Sequence, residues 1–388
     1  MSNGPLYLDH NATTPIDPQV IEAMEPYIRD FFGNPSSVEH QHGHDAGRAI
    51  EAAREAVAKS VGARDGEIVF TGSATEANNI AILGVARANP EKRHLVTSVI
   101  EHPSVLEPMR ALEREGYRVS YIGVDETGQV NIDELAASLT PETALVSIMA
   151  ANNEVGVIQP YREIGALCTK RDVLFHTDLA QILAHRTVDV TNDNIHIASL
   201  SAHKAYGPKG IGALYVRSRR PRAKLAPIIF GGGQEKGLRP GTLNTPSIVG
   251  MGRALSICAS RAITDARHVS ALSSAFLERF LEYVPDAKLN GPAEGRLPNN
   301  LSLSVDGVEP LALMRRLRGQ VSFSASSACA TDKMETSHVL LAMFGHTSRA
   351  RQAFRIAPGR YSDLSDVLKA AEMLGLECRR LRDGTRAA

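Results

Sequence analysis

The feature that most constrains the fold is an alternation of short β-branched runs with helical patterns between residues 67 and 217. The runs are EIVF, HLVTSVI, YRVSYIGV, TALVSIMA, VLFHTD, HIASLSA and GALYVR. Strands that alternate with amphipathic helices predict an α/β fold with a mainly parallel central sheet covered by helices. Such sheets bind ligands beyond the carboxyl ends of their strands. Four residues lie at or just after these ends: Asp178, Ser201, His203 and Lys204.

The length of 388 residues favours two domains, because a single core rarely grows that large. A helical pattern over residues 245–283 leads out of the alternating region, and the stretch PDAKLNGPAEGRLPNN has the Gly, Pro and Asn content of a boundary. We predict a large domain over residues 15–258. A smaller α/β domain should comprise residues 1–14 and 259–388, with strands at LSLSV, QVSFS and AFRIA.

Charge and cysteine content narrow the classes of function. The 43 basic and 43 acidic residues cancel, so no long-range field attracts the chain to nucleic acid or to a membrane, and we expect no direct nucleic-acid binding. Four scattered cysteines do not make a disulfide framework and indicate a reducing compartment. With no apolar run of about 18 residues and no secretory leader pattern, we expect a cytoplasmic protein without a membrane span.

Two sequence patterns suggest anion binding and a buried carboxylate. In FTGSATEANN a strand leads through a turn to a helix starting near Thr75, and the free amides of a helix start suit phosphate, although a simple helix cap explains the same residues. Asp178 ends the apolar strand of VLFHTDLAQ. Its carboxylate needs a cationic partner, which could be a protonated pyridine nitrogen or a structural ion pair. Gln181 could donate to a ring oxygen or lie on the surface.

Lys204 is the candidate nucleophile of the strand-end cluster. It follows a buried strand in IASLSAHKAYGPKG, and desolvation there would favour the neutral amine, which can condense with an aldehyde. A solvated turn lysine is the ordinary alternative. The phosphate turn and the strand-end Asp178 in the same α/β chain favour a Schiff-base lysine.

A series of ordered motifs resembles the cysteine desulfurases, which are class V, fold type I pyridoxal phosphate enzymes. The motifs are YLDHNATTP, FGNPSS, EHPSVL, NNEVGV, HTDLAQ, SAHKAYGPKGIGALY, GGGQEKGLRPGT, SASSACA and FRIAPGR. They run in order along nearly the whole chain, so chance agreement is a poor explanation. The resemblance implies a fold type I transferase with pyridoxal 5'-phosphate as cofactor and L-cysteine as substrate.

The resemblance also implies a role for each matching residue. Lys204 would hold the cofactor and act on the Cα proton, and His102 would stack on the ring and shuttle a proton. Arg355 and Asn153 would orient the carboxylate of L-cysteine. The active form would be a homodimer, in which Thr242 reaches the phosphate of the neighbouring subunit. The remaining cofactor residues would be Ala74, Thr75, Asn153, Asp178, Gln181, Ser201 and His203, and no metal is expected.

Cys329 is the expected sulfur nucleophile. It lies among small polar residues in SASSACATDK, which predicts a mobile loop, whereas Cys168, Cys258 and Cys378 lie in helical patterns typical of packing cysteines. The spacing from Cys329 to Leu341 resembles the long-loop branch of the family. Cys329 would take sulfur as a persulfide, release L-alanine, and pass the sulfur to an acceptor protein, such as an iron–sulfur scaffold or a nucleic-acid thio-modification enzyme.

Two departures and several alternatives stay open. The phosphate turn reads GSATE where the family has SGATE, and the nucleophile loop reads SASSAC where it has SSGSAC, which removes a flexible glycine. Another class V enzyme, such as a selenocysteine lyase or an aminotransferase, would share the cofactor residues without needing Cys329. A non-catalytic sulfur-relay scaffold would not need Lys204. A metal protein would use His40, His42 and His44.

Overall fold

The computed structural model describes residues 4–325 and 336–386. The strands are β1 Leu6–Tyr7, β2 Ile68–Thr71, β3 His94–Ser98, β4 Arg118–Ile122, β5 Thr143–Ser147, β6 Leu174–Asp178, β7 Ile197–Ser201, β8 Gly212–Val216, β9 Lys288–Asn290, β10 Leu301–Ser304, β11 Val321–Ser322, β12 Ser324–Ala325 and β13 Ala353–Ile356. The helices are α1 Pro18–Arg29, α2 Gln41–Ser60, α3 Ala74–Ala88, α4 Pro103–Arg114, α5 Ile132–Ser138, α6 Tyr161–Lys170, α7 Thr245–Tyr283, α8 Pro310–Arg316, α9 His338–Phe344, α10 Ser348–Arg351 and α11 Leu364–Arg386.

A seven-stranded sheet in the order β2-β8-β7-β6-β5-β3-β4 forms the centre of the fold. Strands β4, β3, β5, β6 and β7 pair in parallel, while β8 runs antiparallel to both β7 and β2. The predicted mainly parallel α/β fold is therefore confirmed, with β8 as the exception. Its parallel strands end at one edge, where polar residues follow buried runs.

Helices cover both faces of this sheet, because its strands are apolar on both sides. Val69 and Leu95 pack with α3 and α4 on one face. Phe70 and Phe175 belong to the larger cluster on the other face, which also takes in α2 and the first part of α7. This double coverage fixes the strand ends rigidly in space.

A second, smaller core surrounds a four-stranded antiparallel sheet in the order β12-β13-β10-β9. Phe276 and Phe280, near the end of α7, pack there with Phe354 of β13. The 39-residue helix α7 thus contributes to both cores. Two separate cores agree with two domains, and the boundary at residue 258 stays a prediction.

The sequence prediction differs from the structure in the smaller sheet. The run QVSFS, predicted as one strand, forms β11 and β12, which join different sheets: β11 pairs in parallel with β1, and β12 pairs with β13. The proposed boundary stretch contains β9, which adds an edge to the sheet. Strands β9, β11 and β12 are each two or three residues long, which is too short for period-two alternation to reveal them in the sequence.

In the described parts of the chain, no helix combines the length and apolarity that crossing a membrane requires.

The central sheet encloses histidines that stay neutral. His176 of β6 is fully buried between hydroxyl groups, with Nδ1 2.8 Å from Ser147 Oγ and Nε2 3.0 Å from Ser199 Oγ. Desolvation lowers its pKa from 6.5 to about 4, although Asp178 opposes the shift. Between about pH 4 and pH 6.5, His176 is therefore protonated in the unfolded chain and neutral in the folded chain. The free energy of unfolding should fall as the pH drops below 6.5.

We predict that His176→Gln reduces the acid sensitivity of the fold. In the wild type each pH unit below 6.5 should remove about 1.4 kcal/mol per such histidine from the free energy of unfolding, and Gln has no proton to take up. Urea unfolding at pH 7 and pH 5 measures the difference for each protein. The exposed His346, replaced in the same way, is the control and should behave like the wild type. Equal acid sensitivity in all three proteins would contradict the prediction.

Candidate active site

The predicted residues converge where β6 and β7 end. Asp178 is the last residue of β6, and it pairs in parallel with Ser199, two residues before β7 ends at Ser201. Lys204 lies three residues beyond that end. Its amine is close enough to Asp178, Asp9 and Arg355 to interact electrostatically with all three.

The turn that carries Lys204 is fixed by Thr14. The Thr14 amide and hydroxyl both donate to the carbonyl of His203 at 2.9 Å, and the hydroxyl accepts from the Tyr206 amide at 2.9 Å. Tyr206 adopts a left-handed conformation with φ of 61°, which a bulky residue seldom takes unless its surroundings impose it. The backbone on both sides of Lys204 is thereby held in place.

The Lys204 amine is suited to nucleophilic chemistry. Desolvation is the main cause that lowers the pKa of this amine from 10.5 to about 8, and Asp178 partly opposes it. A substantial neutral fraction therefore exists near neutral pH. In the described part of the chain, no carboxylate lies within ion-pair distance of this amine.

Asp178 is buried and 9% exposed. Its Oδ1 accepts from the Ala180 amide and its Oδ2 from Asn78 Nδ2, both at 2.8 Å. Among the residues described, no cation pairs with it within 4.0 Å, so the structural ion pair considered from sequence is absent there. A buried carboxylate without a cationic partner is costly, and a protonated ring nitrogen would supply that partner.

His102 lies beside this carboxylate. It caps the start of α4, where its Nδ1 accepts from the Ser104 amide at 3.1 Å, so the neutral ring carries its proton on Nε2. Asn78 joins the two residues, because its Nδ2 lies 2.8 Å from both Ser104 Oγ and Asp178 Oδ2. Desolvation lowers the pKa of His102, with Asp178 acting against it. A neutral, fixed ring fits the expected stacking role.

The proposed phosphate turn lies at the start of α3. The helix begins at Ala74, one residue earlier than predicted, and Ser73 caps it by accepting from the Glu76 amide at 3.1 Å. The exchange of glycine and serine in GSATE thus gives Ser73 a capping role. The amides of Ala74 and Thr75 lie in the first turn, where no intrahelical acceptor exists, and are available to an anion.

Gly212 brings this turn against the end of β7. It pairs with Ser201, and a side chain at position 212 would lie 2.6 Å from the Ser73 carbonyl carbon and 2.8 Å from the Ala74 amide nitrogen. Only glycine allows such an approach. His203 completes this side, with its Nδ1 3.2 Å from Thr13 Oγ1.

Arg355 and Asn153, the two residues expected to bind the substrate carboxylate, are in direct contact. The Arg355 Nη1 donates to the Asn153 carbonyl at 2.8 Å, and its Nη2 donates to Asp9 Oδ1 at 2.8 Å. Its Nε is buried without a partner. Gln181, expected to donate to a ring oxygen, instead donates to the Asn11 carbonyl at 3.0 Å in this structure.

Sequence reasoning missed the N-terminal segment, residues 9–17. Five of its residues contact site residues or their neighbours. The pairs are Asp9 with Arg355, Asn11 with Gln181, Thr13 with His203, Thr14 with Tyr206, and Asp17 with Arg360. Its partners are more than a hundred residues away in sequence. The available signal was the density of short polar side chains in LDHNATTPID, which suits turns and caps rather than a strand.

Two predicted site residues are not tested by this geometry. Cys329 lies outside the described residues. Thr242 is exposed, and its expected role needs a partner subunit. Cys168, Cys258 and Cys378 are buried free thiols with pKa values raised by desolvation to about 12, 11 and 12, so they are poor nucleophiles.

The histidines of the alternative metal protein have other contacts. His40 caps α2 by accepting from the Gly43 amide at 3.2 Å, and His42 packs against Phe32. Within the described ranges, no group of three or more His, Cys, Asp or Glu side chains is arranged to hold a metal ion.

The residues present fit pyridoxal phosphate. Asp178 offers an unpaired buried carboxylate for the ring nitrogen, Lys204 offers a neutral amine for the aldehyde, and the first turn of α3 offers amides for the phosphate. His102 offers a flat neutral ring. These chemically different groups lie around one edge of the sheet, as the cofactor requires.

Comparison with known proteins identifies the class. Residues 6–369 match the family described as Aminotransferase class-V. The chain therefore belongs to the class-V aminotransferases. A cysteine desulfurase IscS from Rickettsia bellii is 43% identical over 380 residues, which cover 98% of this chain and 92% of the relative.

Solved structures agree with this result. A NifS-like protein superimposes with a TM-score of 0.90 at 36% identity, covering 97% of this chain and all of the other. A structure described as SspA in complex with cysteine has a TM-score of 0.80 at 38% identity and covers 92% of this chain and 99% of the other. Within the class, the chain is a member of the cysteine desulfurase family, whose cofactor is pyridoxal phosphate. The expected family, fold class and cofactor are confirmed.

We predict that reduction of the cofactor-loaded protein with borohydride labels Lys204. Mass spectrometry of the digested protein should find the pyridoxyl group on that residue, because its amine loses its proton at lower pH than an ordinary lysine and is held at the site. Lys204→Ala should abolish the label. Lys209→Ala is the matched control, since Lys209 lies on the same turn but is exposed, and it should keep the label. A label that persists in Lys204→Ala would show that another lysine binds the cofactor.

Proposed function

We propose that this chain is a pyridoxal phosphate-dependent cysteine desulfurase, which converts L-cysteine to L-alanine and passes the sulfur to an acceptor. The observation that carries the proposal is the desolvated Lys204 amine beside the unpaired, buried Asp178 carboxylate. The 43% identity to a curated cysteine desulfurase supports the same substrate. When bound, the cofactor supplies the electron sink that stabilises negative charge at the substrate Cα.

Lys204 holds the cofactor and serves as the base for the Cα proton. With a pKa of about 8, its amine can accept a proton near neutral pH and return it later in the cycle. Asp178 would pair with the ring nitrogen and keep it protonated, and His102 would pack against the ring and relay a proton. The phosphate is held by Ala74, Thr75, Ser201 and His203, and by Thr242 of the partner subunit.

Arg355 and Asn153 bind the substrate carboxylate. A guanidinium is suited to this because its planar donors match two carboxylate oxygens. One N–H of Arg355 Nη1 donates to the Asn153 carbonyl, and the second is a donor that this role would satisfy. Asn153 and Gln181 would contact the ring oxygen. Both contact Asn11 in this structure: the Asn153 carbonyl accepts from Asn11 Nδ2 at 3.5 Å, and Gln181 Nε2 donates to the Asn11 carbonyl at 3.0 Å.

Cys329 is the sulfur acceptor within the enzyme. Its thiolate attacks the sulfur of the substrate, the Cβ–S bond of L-cysteine breaks with its electron pair staying on carbon, and protonation of that carbon gives L-alanine. The persulfide sulfur then passes to an acceptor protein, either an iron–sulfur scaffold or a thio-modification enzyme. We further propose a cytoplasmic homodimer: the resemblance assigns Thr242 to the phosphate of the neighbouring subunit, and Thr242 is exposed in this chain.

We predict that Cys329→Ala lowers the release of sulfide and alanine from L-cysteine by about a hundredfold or more, because the three cysteines in the described part of the chain are buried and cannot take the sulfur. Alanine and sulfide are measured together under a reductant. Cys168→Ala, which removes a buried packing thiol, is the control and should keep near-wild-type turnover. Parental turnover in Cys329→Ala would refute the assigned nucleophile and favour another class V activity, such as a selenocysteine lyase or an aminotransferase.

A further inference from the structure

Asp9 is a residue to which neither sequence reasoning nor the proposed mechanism gives a role, yet it contacts the substrate arginine. Its Oδ1 accepts from Arg355 Nη2 at 2.8 Å, and its Oδ2 accepts from Ser324 Oγ at 2.8 Å. The Ser324 hydroxyl also accepts from Arg355 Nη2 at 3.2 Å. These three side chains form a closed triangle of hydrogen bonds.

The backbone holds the triangle in register. Asp9 forms an isolated parallel bridge with Ala357, two residues after Arg355 on β13. Ser324 of β12 pairs directly with Arg355. The three residues thus come from three separate stretches of chain that meet at one edge of the small sheet, so the contact is built into the fold.

Burial makes the loss of either partner of this ion pair costly. The side chains of Arg355 and Asp9 are 9% and 16% exposed. Water screens such a pair poorly, and removal of one partner leaves the other charge buried and uncompensated. The Asp9 carboxylate is therefore expected to determine where the guanidinium of Arg355 lies.

The donors of Arg355 are unevenly used. A guanidinium has five N–H groups, one on Nε and two on each Nη. Asp9 and Ser324 take both donors of Nη2, the Asn153 carbonyl takes one donor of Nη1, and Nε has no partner. The contacts with Asp9 and Ser324 thus fix one end of the guanidinium, and the second N–H of Nη1 is the donor left for an incoming carboxylate, because Nε is buried.

Asp9 also influences the Lys204 amine, and in the opposite direction to Arg355. The carboxylate of Asp9 raises the pKa of Lys204 and the guanidinium of Arg355 lowers it, although desolvation and Asp178 have larger effects. Removal of Asp9 should therefore shift the pH dependence of any step that needs neutral Lys204 to lower pH. A residue with a purely structural role would not produce this shift.

We propose that Asp9 is a positioning residue for substrate binding: it holds the guanidinium of Arg355 in the orientation in which the remaining Nη1 donor can bind the carboxylate of L-cysteine. This inference rests on the proposed function. Loss of Asp9 should raise KM more than it lowers kcat, because the residue acts on substrate binding and not on the sulfur atom.

Steady-state kinetics of the holoenzyme with L-cysteine tests the proposal. Asp9→Ala should raise KM about tenfold or more with kcat at its optimum pH within about threefold, and the acidic limb of the pH profile of kcat, which reports the Lys204 amine in the substrate complex, should move to lower pH. Asp9→Asn keeps an acceptor oxygen for Arg355 and should have a smaller effect on KM. The double variant Asp9→Ala/Arg355→Ala should be no worse than Arg355→Ala alone, because Asp9 acts through Arg355.

Asp193→Ala is the matched control. Asp193 is buried and paired with Arg162 at 2.7 Å, before β7 at the opposite edge of the sheet, so its loss affects stability without affecting the site. The proposal is overturned if Asp9→Ala changes KM no more than Asp193→Ala, or if the effects of Asp9→Ala and Arg355→Ala add. If Asp9→Ala does not fold, Asp9→Asn and Ser324→Ala decide: an unchanged KM in both overturns it. A wild type that releases no alanine would instead refute the proposed function.

Discussion

The site depends on partly desolvating the Lys204 amine while giving it no ion-pair partner. Burial alone would favour the neutral amine, but a nearby carboxylate in direct contact would restore its charge. Asp178 is near enough to act on the amine electrostatically, and yet its own oxygens are occupied by Ala180 and Asn78. Because the two groups form no ion pair with each other, the Lys204 amine stays available to an aldehyde and the Asp178 carboxylate to a ring nitrogen.

Two parts of the fold produce that arrangement. The doubly covered sheet fixes the ends of β6 and β7, and hence Asp178 and the start of the Lys204 turn. The N-terminal segment, residues 9–17, then joins this edge to the smaller core: Thr14 holds the Lys204 turn, and Asp9 holds Arg355. The site is thus assembled from both cores, although each core packs separately.

Much of this could be predicted from sequence, for physical reasons. Asp178, Ser201 and Lys204 follow apolar strands of a βα alternation, and parallel strands must end at a common edge. The Asp9–Arg355 pair could not be predicted, because its residues are 346 positions apart and no local pattern joins them. Spacing could not reveal that Gln181 donates to the Asn11 carbonyl, and its contact with a ring oxygen remains a prediction. The role of Cys329 came from resemblance alone and remains a prediction.

The most direct test of the central claim is the pKa of the Lys204 amine in the cofactor-free protein. Competitive acetylation across a pH series, quantified for each lysine by mass spectrometry, gives this value without any turnover. The account predicts that Lys204 titrates near pH 8, well below the value of about 10.4 that is ordinary for lysine. Titration of Lys204 together with the exposed lysines would contradict it.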